Sequence, residues 1–405
     1  MRTSSGGTRP VVFLAALALA ASLAACSSSD SDGGATPTTR SGRSTATVPT
    51  SAADDLKLNQ IQAIGTHNSF HVAAPAKEHA LLEALSTKEA ATRTYSHPSM
   101  ATQVGKERVR QLELDIFADA KGGLYADPVL RREAGLGRYL DEVPEMAEPG
   151  TKVLHEQDVD YHSACPTLVR CLTELKTWSD ANPDHVPVAI NIQFKDGPLI
   201  FQVAGQAVPE KWTAAAMEGM DAEIRSVFGA DDLITPDDVR GDHDTLEQAV
   251  LDDSWPTLGE SRGKFLFLMV NGEPYRSSYL KAHPNLAGAI LFTNAEPGQP
   301  DASYVGIDDP VADGAEIAKL VAKGYLVRTR ADEPNDQGVS GDTTMRDAAL
   351  ASGAQWVSTD YPGPDGAEPS TGTDYVVELP GFRAARCNPV TAPKGCDDDL
   401  VEPGD

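Results

Sequence analysis

Two histidines, two carboxylates one residue apart and several amides stand at the ends of apolar runs. The run "LNQIQAI" (58–64) leads into "GTHNSFH", which holds His67 and Asn68. "VRQLELDIF" (109–117) carries Glu113 and Asp115, and "TKVLHEQ" (151–157) carries His155. "VPVAINIQF" (186–194) carries Gln193, with Lys195 immediately after it. On a strand, Glu113 and Asp115 share one face, opposite Leu112, Leu114 and Ile116. Two carboxylates aimed into one cavity repel; a bound cation, a shared proton or a basic partner resolves the repulsion. Ca2+ takes oxygen ligands, and Asn68 and Gln193 offer neutral ones at neighbouring run ends. A salt bridge to Arg110 or Arg330 is the competing arrangement. Two imidazoles beside such a cluster suit a paired general base and general acid. The set fits phosphodiester cleavage. The cation stabilises charge on phosphate and lowers a hydroxyl's pKa, one His accepts the proton, and the other protonates the leaving oxygen.

Something has to bring these run ends together. Four further β-rich runs follow: "KFLFLMV" (264–270), "GAILFTN" (288–294), "GYLVRTRA" (324–331) and "AQWVSTDY" (354–361). Helical patterns lie between them, such as 164–182 and 311–324, the second stopping at Gly324. Strand and helix in alternation favour a parallel sheet, and eight units predict an α/β fold, a closed (β/α)8 TIM barrel. A doubly wound open sheet is the alternative, but no GxGxxG follows the first run. In a barrel the site lies at the C-terminal strand ends. That adds Arg328 and Arg330, which share a face and could bind phosphate or hydroxyls, with one of them able to pair with Asp360. Tyr361 is expected to pack on a sugar ring, and Lys195 to contact phosphate or stand in solvent. Residues 205–262 read as an acidic, helix-rich insertion between strands four and five, with Leu233, Ile234 and Val239 covering the barrel.

The chain has 405 residues and a net charge of −26. Its positive charges are unclustered, which argues against a nucleic-acid partner and against general attraction to anionic membranes. Arg2 and Arg9 precede an apolar run at 11–25, too short for a comfortable span and suited to a signal-peptide core. The run ends Leu23-Ala24-Ala25-Cys26, which resembles a bacterial lipobox with Cys26 as the lipidated residue; an ordinary signal peptide is the alternative. The segments expected are a lipoprotein signal at 1–25, a Ser/Thr/Gly/Pro-rich tether at 26–54, a catalytic barrel at 55–385 and a tail at 386–405. Four cysteines remain. In an oxidising compartment they are expected to pair as Cys165–Cys171 and Cys387–Cys396. A zinc site is the runner-up, but neither spacing is the short one of zinc ligand pairs.

The motifs "IGTHNSFH", "SHPSM", "VRQLELDIFAD" and "HEQDVDYHSACPTLVRCL" resemble the phosphatidylinositol-specific phospholipase C superfamily, most closely its bacterial, secreted, Ca2+-dependent branch. The likeness continues through "HVPVAINIQFKDG", "SWPTLGESRGKFLFLM", "YLVRTRAD" and "WVSTDYP", covering nearly all of 56–365. It implies a TIM barrel that cleaves phosphatidylinositol, or a related inositol phospholipid, at a membrane surface. The inositol 2-hydroxyl attacks and yields diacylglycerol and a cyclic inositol phosphate. His67 is then the base and His155 the acid, with Asn68, Glu113 and Asp115 holding Ca2+. Metal-independent relatives carry an Arg two residues after the strand-two Asp; Phe117 stands there, which favours metal. Gln193 replaces a Glu of the eukaryotic enzymes, which removes one negative charge. Other specificities on the same barrel, for glycerophosphodiesters or sphingomyelin, and a non-catalytic lipid-binding lipoprotein are the alternatives. Oligomeric state is open at this level.

The lipobox reading has a direct check. Cys26→Ser is expected to move the protein from the membrane fraction to the soluble one, and retention in the membrane fraction removes the anchor.

Overall fold

The computed structural model describes residues 53–199, 204–333 and 336–402. Cys26, the signal segment and the tether up to residue 52 lie outside them. No helix among the described residues is long and apolar enough to cross a membrane.

Among the described residues ten strands form one sheet: β1 (Ile61–Thr66), β2 (Gln111–Phe117), β3 (Lys152–Val153), β4 (Val188–Phe194), β5 (Phe265–Met269), β6 (Leu291–Phe292), β7 (Tyr304–Gly306), β8 (Leu326–Arg330), β9 (Trp356–Thr359) and β10 (Ala385–Cys387). Eight of them run parallel in the order β6-β5-β4-β2-β1-β9-β8-β7. A parallel bridge between Asn294 and Tyr304 joins the two ends and closes the ring. Helices connect the strands, so the fold is a (β/α)8 TIM barrel. Strands covered on both faces become continuously apolar, and "FLFLM" in β5 is wholly buried.

Eight parallel strands were expected, but one member differs. Only Lys152–Val153 of the 151–157 run is strand, and it pairs antiparallel with Ile116 and Phe117, outside the ring. The run then enters a hairpin in which Glu156 and Asp160 exchange backbone hydrogen bonds of 2.9 and 3.0 Å. The eighth barrel strand is β7, three residues long, too short for period-two alternation to show.

The connections follow from local chemistry. The helix Leu168–Ala181 starts where the Thr167 hydroxyl accepts from the Arg170 N–H. Asp309 caps the helix Pro310–Ala322 by accepting from Val311 and Ala312. The insertion after β4 holds the helices Ala214–Val227, Pro236–Arg240, Leu246–Leu251 and Leu258–Ser261. Leu233, Ile234 and Val239 are buried, and Leu233 bridges to Phe265 at the start of β5.

The first and last described residues are built into the barrel. Ala53 is buried and Asp54 pairs with Arg262 at 2.8 Å, so the last two residues of the expected tether belong to the fold. β10 pairs antiparallel with the first half of β1, and disulfides join Cys387 to Cys396 and Cys165 to Cys171. Glu402 grips Arg110, which precedes β2, and also accepts from the Val186 N–H at 3.0 Å. A cavity of about 540 Å3 at this lower face is lined by Arg110, Trp178, His185 and Glu402. It is at the opposite end of the barrel from the polar strand ends.

Glu402→Ala strands the buried Arg110 guanidinium without its carboxylate. Urea unfolding is expected to show a loss of about 3 kcal/mol at an unchanged m-value.

Candidate active site

The loop after β1 is clipped onto β2. The Ser69 N–H donates to the Glu113 carbonyl at 3.0 Å, and the Ser69 hydroxyl accepts from the Glu113 N–H at 2.7 Å. β1 and β2 meet at Gly65 opposite Gln111, where a Cβ on Gly65 would fall 2.0 Å from Gln111 Oε1. Asn68 turns the chain at φ +45°, a conformation Asn tolerates better than most residues. These contacts fix His67 and Asn68 against Glu113.

His67 points its Nδ1 at Asp360 Oδ1, 2.8 Å away, at the end of β9. Asp360 accepts that proton, so Nε2 keeps a free lone pair; it lies 3.9 Å from Glu113 Oε1. Arg330 Nη2 lies 3.4 Å from the same Nδ1 and 3.7 Å from Asp360 Oδ2. Because the Nδ1 proton faces Asp360, Arg330 acts on His67 as a charge and not as a hydrogen-bond donor. Burial, with Arg330 beside it, holds the His67 imidazole well below its ordinary 6.5. It is neutral at working pH, as a base has to be. His97 donates from Nε2 to the His67 carbonyl at 3.0 Å, and burial lowers His97 to about 4.

Asp360 has its own support. Its N–H donates to Asp332 Oδ1 at 3.0 Å, and Thr359 donates its hydroxyl to the other oxygen. Burial raises both carboxyls, and the charge of Asp360 adds to the rise of Asp332, to about 7. Asp360 is the one facing Arg330 and the imidazole, so the negative charge resides there.

His155 stands at the start of the hairpin after β3, and its Nδ1 lies 2.7 Å from Asp160 Oδ2. Its side chain is 23% exposed and close enough for its charge to depress His67. Asp160 is buried.

β2 and β4 run in register, pairing Glu113 with Asn191 and Asp115 with Gln193. Contacts across the ring show that this face points inward: Glu113 Oε2 accepts from Arg328 Nη2 at 2.8 Å, and Asn191 Nδ2 donates to the Tyr304 hydroxyl at 3.2 Å. The basic partner of Glu113 is therefore Arg328, which also holds Asp308. Arg110 is away at the lower face. Lys195 Nζ forms an ion pair with Asp115 Oδ2 at 3.0 Å, and the Asp115 oxygens are otherwise without a donor among the described residues. Asn68 Oδ1 and Asn191 Oδ1 are likewise buried and without a donor among the described residues. Orphaned buried oxygens are costly, and carboxylate and amide oxygens are what a hard cation takes. No group of three or more His, Cys, Asp or Glu gathers as a metal site among the described residues. The donor set here is instead two carboxylates with amides, and it fits Ca2+. Lys195 sits against this set, and burial, outweighed by Asp115, leaves its ammonium shifted upward.

Tyr361 departs from expectation. It is 1% exposed, its ring set edge-on to Tyr375, and Gly338 packs so closely that a Cβ there would fall 2.3 Å from the ring. It offers no face to a sugar. Three residues of the site went unassigned in the sequence: Asp360 and Asp160 as partners of the histidines, and Asn191 as an oxygen donor. The signal for Asn191 was its spacing of two from Gln193.

A barrel with paired imidazoles and an oxygen-lined floor at its C-terminal strand ends is a phosphodiesterase arrangement, and comparison with known proteins agrees. The model of the family described as phosphoinositide phospholipase C, Ca2+-dependent, matches residues 56–389, and the chain belongs to that family. It is therefore a Ca2+-dependent phospholipase C barrel enzyme. The calcium-dependent phosphoinositol-specific phospholipase C from Pseudomonas sp. is similar in structure, at TM-score 0.50 and 16% identity over 83% of this chain and 96% of that one. A Ca2+-dependent phosphatidylinositol-specific phospholipase C from Streptomyces antibioticus matches at TM-score 0.46 and 20% identity, over 78% of this chain and 98% of that one. No curated protein matches the chain.

Asp360→Asn puts an amide, which can donate as well as accept, where an acceptor-only carboxylate sets the His67 tautomer, and kcat is expected to fall by ~10²-fold. A base is active when unprotonated. Because His67 is held well below 6.5, wild-type turnover is expected to stay level on the acid side through pH 6.5 and fall only below it. A pH–rate profile checks this.

Proposed function

We propose that the protein cleaves phosphatidylinositol, or a related inositol phospholipid, to diacylglycerol and a cyclic inositol phosphate. The observation that carries this is the matched pair of imidazoles, each with Nδ1 on a buried carboxylate at 2.8 or 2.7 Å, beside an oxygen-lined floor. His67 Nε2 accepts the proton of the inositol 2-hydroxyl, which attacks phosphorus. His155 gives its proton to the departing diacylglycerol oxygen. Asn68, Glu113, Asp115 and Gln193, with Asn191 beside them, would hold Ca2+. When bound, the ion supplies positive charge for the phosphate and lowers the pKa of the attacking hydroxyl. Lys195, Arg328 and Arg330 stand at the same strand ends and orient the phosphate and ring hydroxyls. Lipidation of Cys26 would tether the barrel at the outer face of the cell membrane, within reach of its lipid.

Phosphorus NMR of the purified protein with phosphatidylinositol micelles tests the reading. A cyclic inositol phosphate signal is expected with Ca2+ and not with excess chelator, and His67→Ala and His155→Ala are each expected to lower its rate by ~10²–10⁴-fold. Turnover that survives chelation, or His67→Ala at wild-type rate, overturns the mechanism. Cleavage of glycerophosphodiesters or sphingomyelin with no cyclic product assigns the barrel a different substrate.

A further inference from the structure

We propose that Arg93 is a positioning residue for the acid half of the reaction, acting through Asp160, whose carboxylate it holds against His155. The proposal rests on the reading of His155 as the acid. Arg93 lies in the connection between β1 and β2, just after the helix Thr87–Ala91, and is buried, its guanidinium turned to the His155 hairpin and Glu89. Its guanidinium is held on three sides. Nη2 donates to Glu156 Oε2 at 3.1 Å, Nη1 donates to the Glu89 carbonyl at 2.9 Å with the Glu89 carboxylate at 3.1 Å, and Nε forms an ion pair with Asp160 Oδ2 at 3.0 Å without a hydrogen bond.

Glu156 and Asp160 are the two ends of the hairpin that begins beside His155, and their backbones are already hydrogen-bonded to each other. One guanidinium therefore meets both ends of the turn, hydrogen-bonded to Glu156 and paired by charge with Asp160, a reach that a single ammonium does not reproduce. His71 Nε2, 3.1 Å from Asp160 Oδ1, holds the other oxygen, and its Nδ1 faces the Tyr95 carbonyl at 3.1 Å. His71 Nε2 also reaches Oδ2, at 3.2 Å, where Arg93 and His155 meet it, so contacts on both oxygens restrain the Asp160 carboxylate. Burial alone would lift that carboxyl, but His71 and His155 beside it hold it well below the usual carboxylate range. It therefore stays ionised as the acceptor that aims His155. The hairpin pairs with β2 through a two-residue antiparallel strand and the Leu154 N–H on the Asp115 carbonyl at 3.3 Å. His155 thus lacks the ladder support that His67 receives from β1, and Arg93 supplies an anchor in its place.

The test uses two leaving groups. Diacylglycerol oxygen leaves only when protonated, whereas a p-nitrophenyl ester of inositol phosphate releases nitrophenolate without an acid. Arg93→Met is expected to lower kcat on phosphatidylinositol ~10-fold or more, with KM within about twofold, and to lose little on the nitrophenyl ester. Arg93→Lys is expected to recover part of the loss. An equal loss on both substrates makes Arg93 merely structural and overturns the proposal, as does no loss on either. His155→Ala run in parallel separates the two readings. If it loses equally on both substrates, the acid assignment falls and this proposal falls with it. If it shows the split and Arg93→Met does not, Arg93 alone is wrongly placed.

Discussion

Charge sealed inside the mouth of the barrel has to be compensated, because an ion taken out of water costs several kcal/mol unless a partner and hydrogen bonds replace its hydration. Glu113, Asp115, Asp160 and Asp360 are all buried, and each is matched. Arg328 holds Glu113, Lys195 faces Asp115, Arg93 and His71 hold Asp160, and Arg330 stands beside Asp360. The matching leaves a specific remainder. Beyond the Lys195 ion pair, the Asp115 oxygens and the Asn68 and Asn191 amide oxygens have no donor among the described residues, and they gather where β1, β2 and β4 end. The same requirement that stabilises the pairs therefore creates a demand for one more cation.

The two histidines are delivered by different means. His67 continues a barrel strand, so hydrogen bonds from both sides set its position: its own N–H donates to the Thr359 carbonyl and the following loop is bonded to Glu113. Asp360 arrives from the neighbouring strand β9, and Asp332 fixes its turn. The pair is as rigid as the barrel. His155 comes from a hairpin laid over β2, outside the ring, and depends on side-chain contacts for its aim. Two residues with the same formal role thus differ in how their geometry is secured.

Much of this was legible in the linear chain. β2, β4 and β5 are apolar and long enough to show a pattern, and the polar residues that interrupt them, Glu113, Asp115 and Gln193, face the interior as period-two spacing implies. The 151–157 run misled because antiparallel hairpin strands and parallel barrel strands draw on the same β-branched residues. Tyr361 misled because an aromatic residue after a strand is compatible with the mouth or with the core. Only the approach of Gly338 and Tyr375 decides between them. Asp360 and Asp160 were visible as residues but not as partners, since a side-chain pair spanning 293 positions, as His67 and Asp360 do, leaves no local trace.

The sequence by itself determined the type of barrel, the two histidines, the two inward carboxylates and the amides beside them, because strand periodicity and the chemistry of each side chain are local properties. Tertiary structure decided which cation meets which carboxylate, which nitrogen of His67 keeps its lone pair, and which oxygens are left without a donor. Those outcomes depend on distances between strands far apart in the chain and on burial, which sets the strength of every charge interaction, and neither quantity exists until the ring closes.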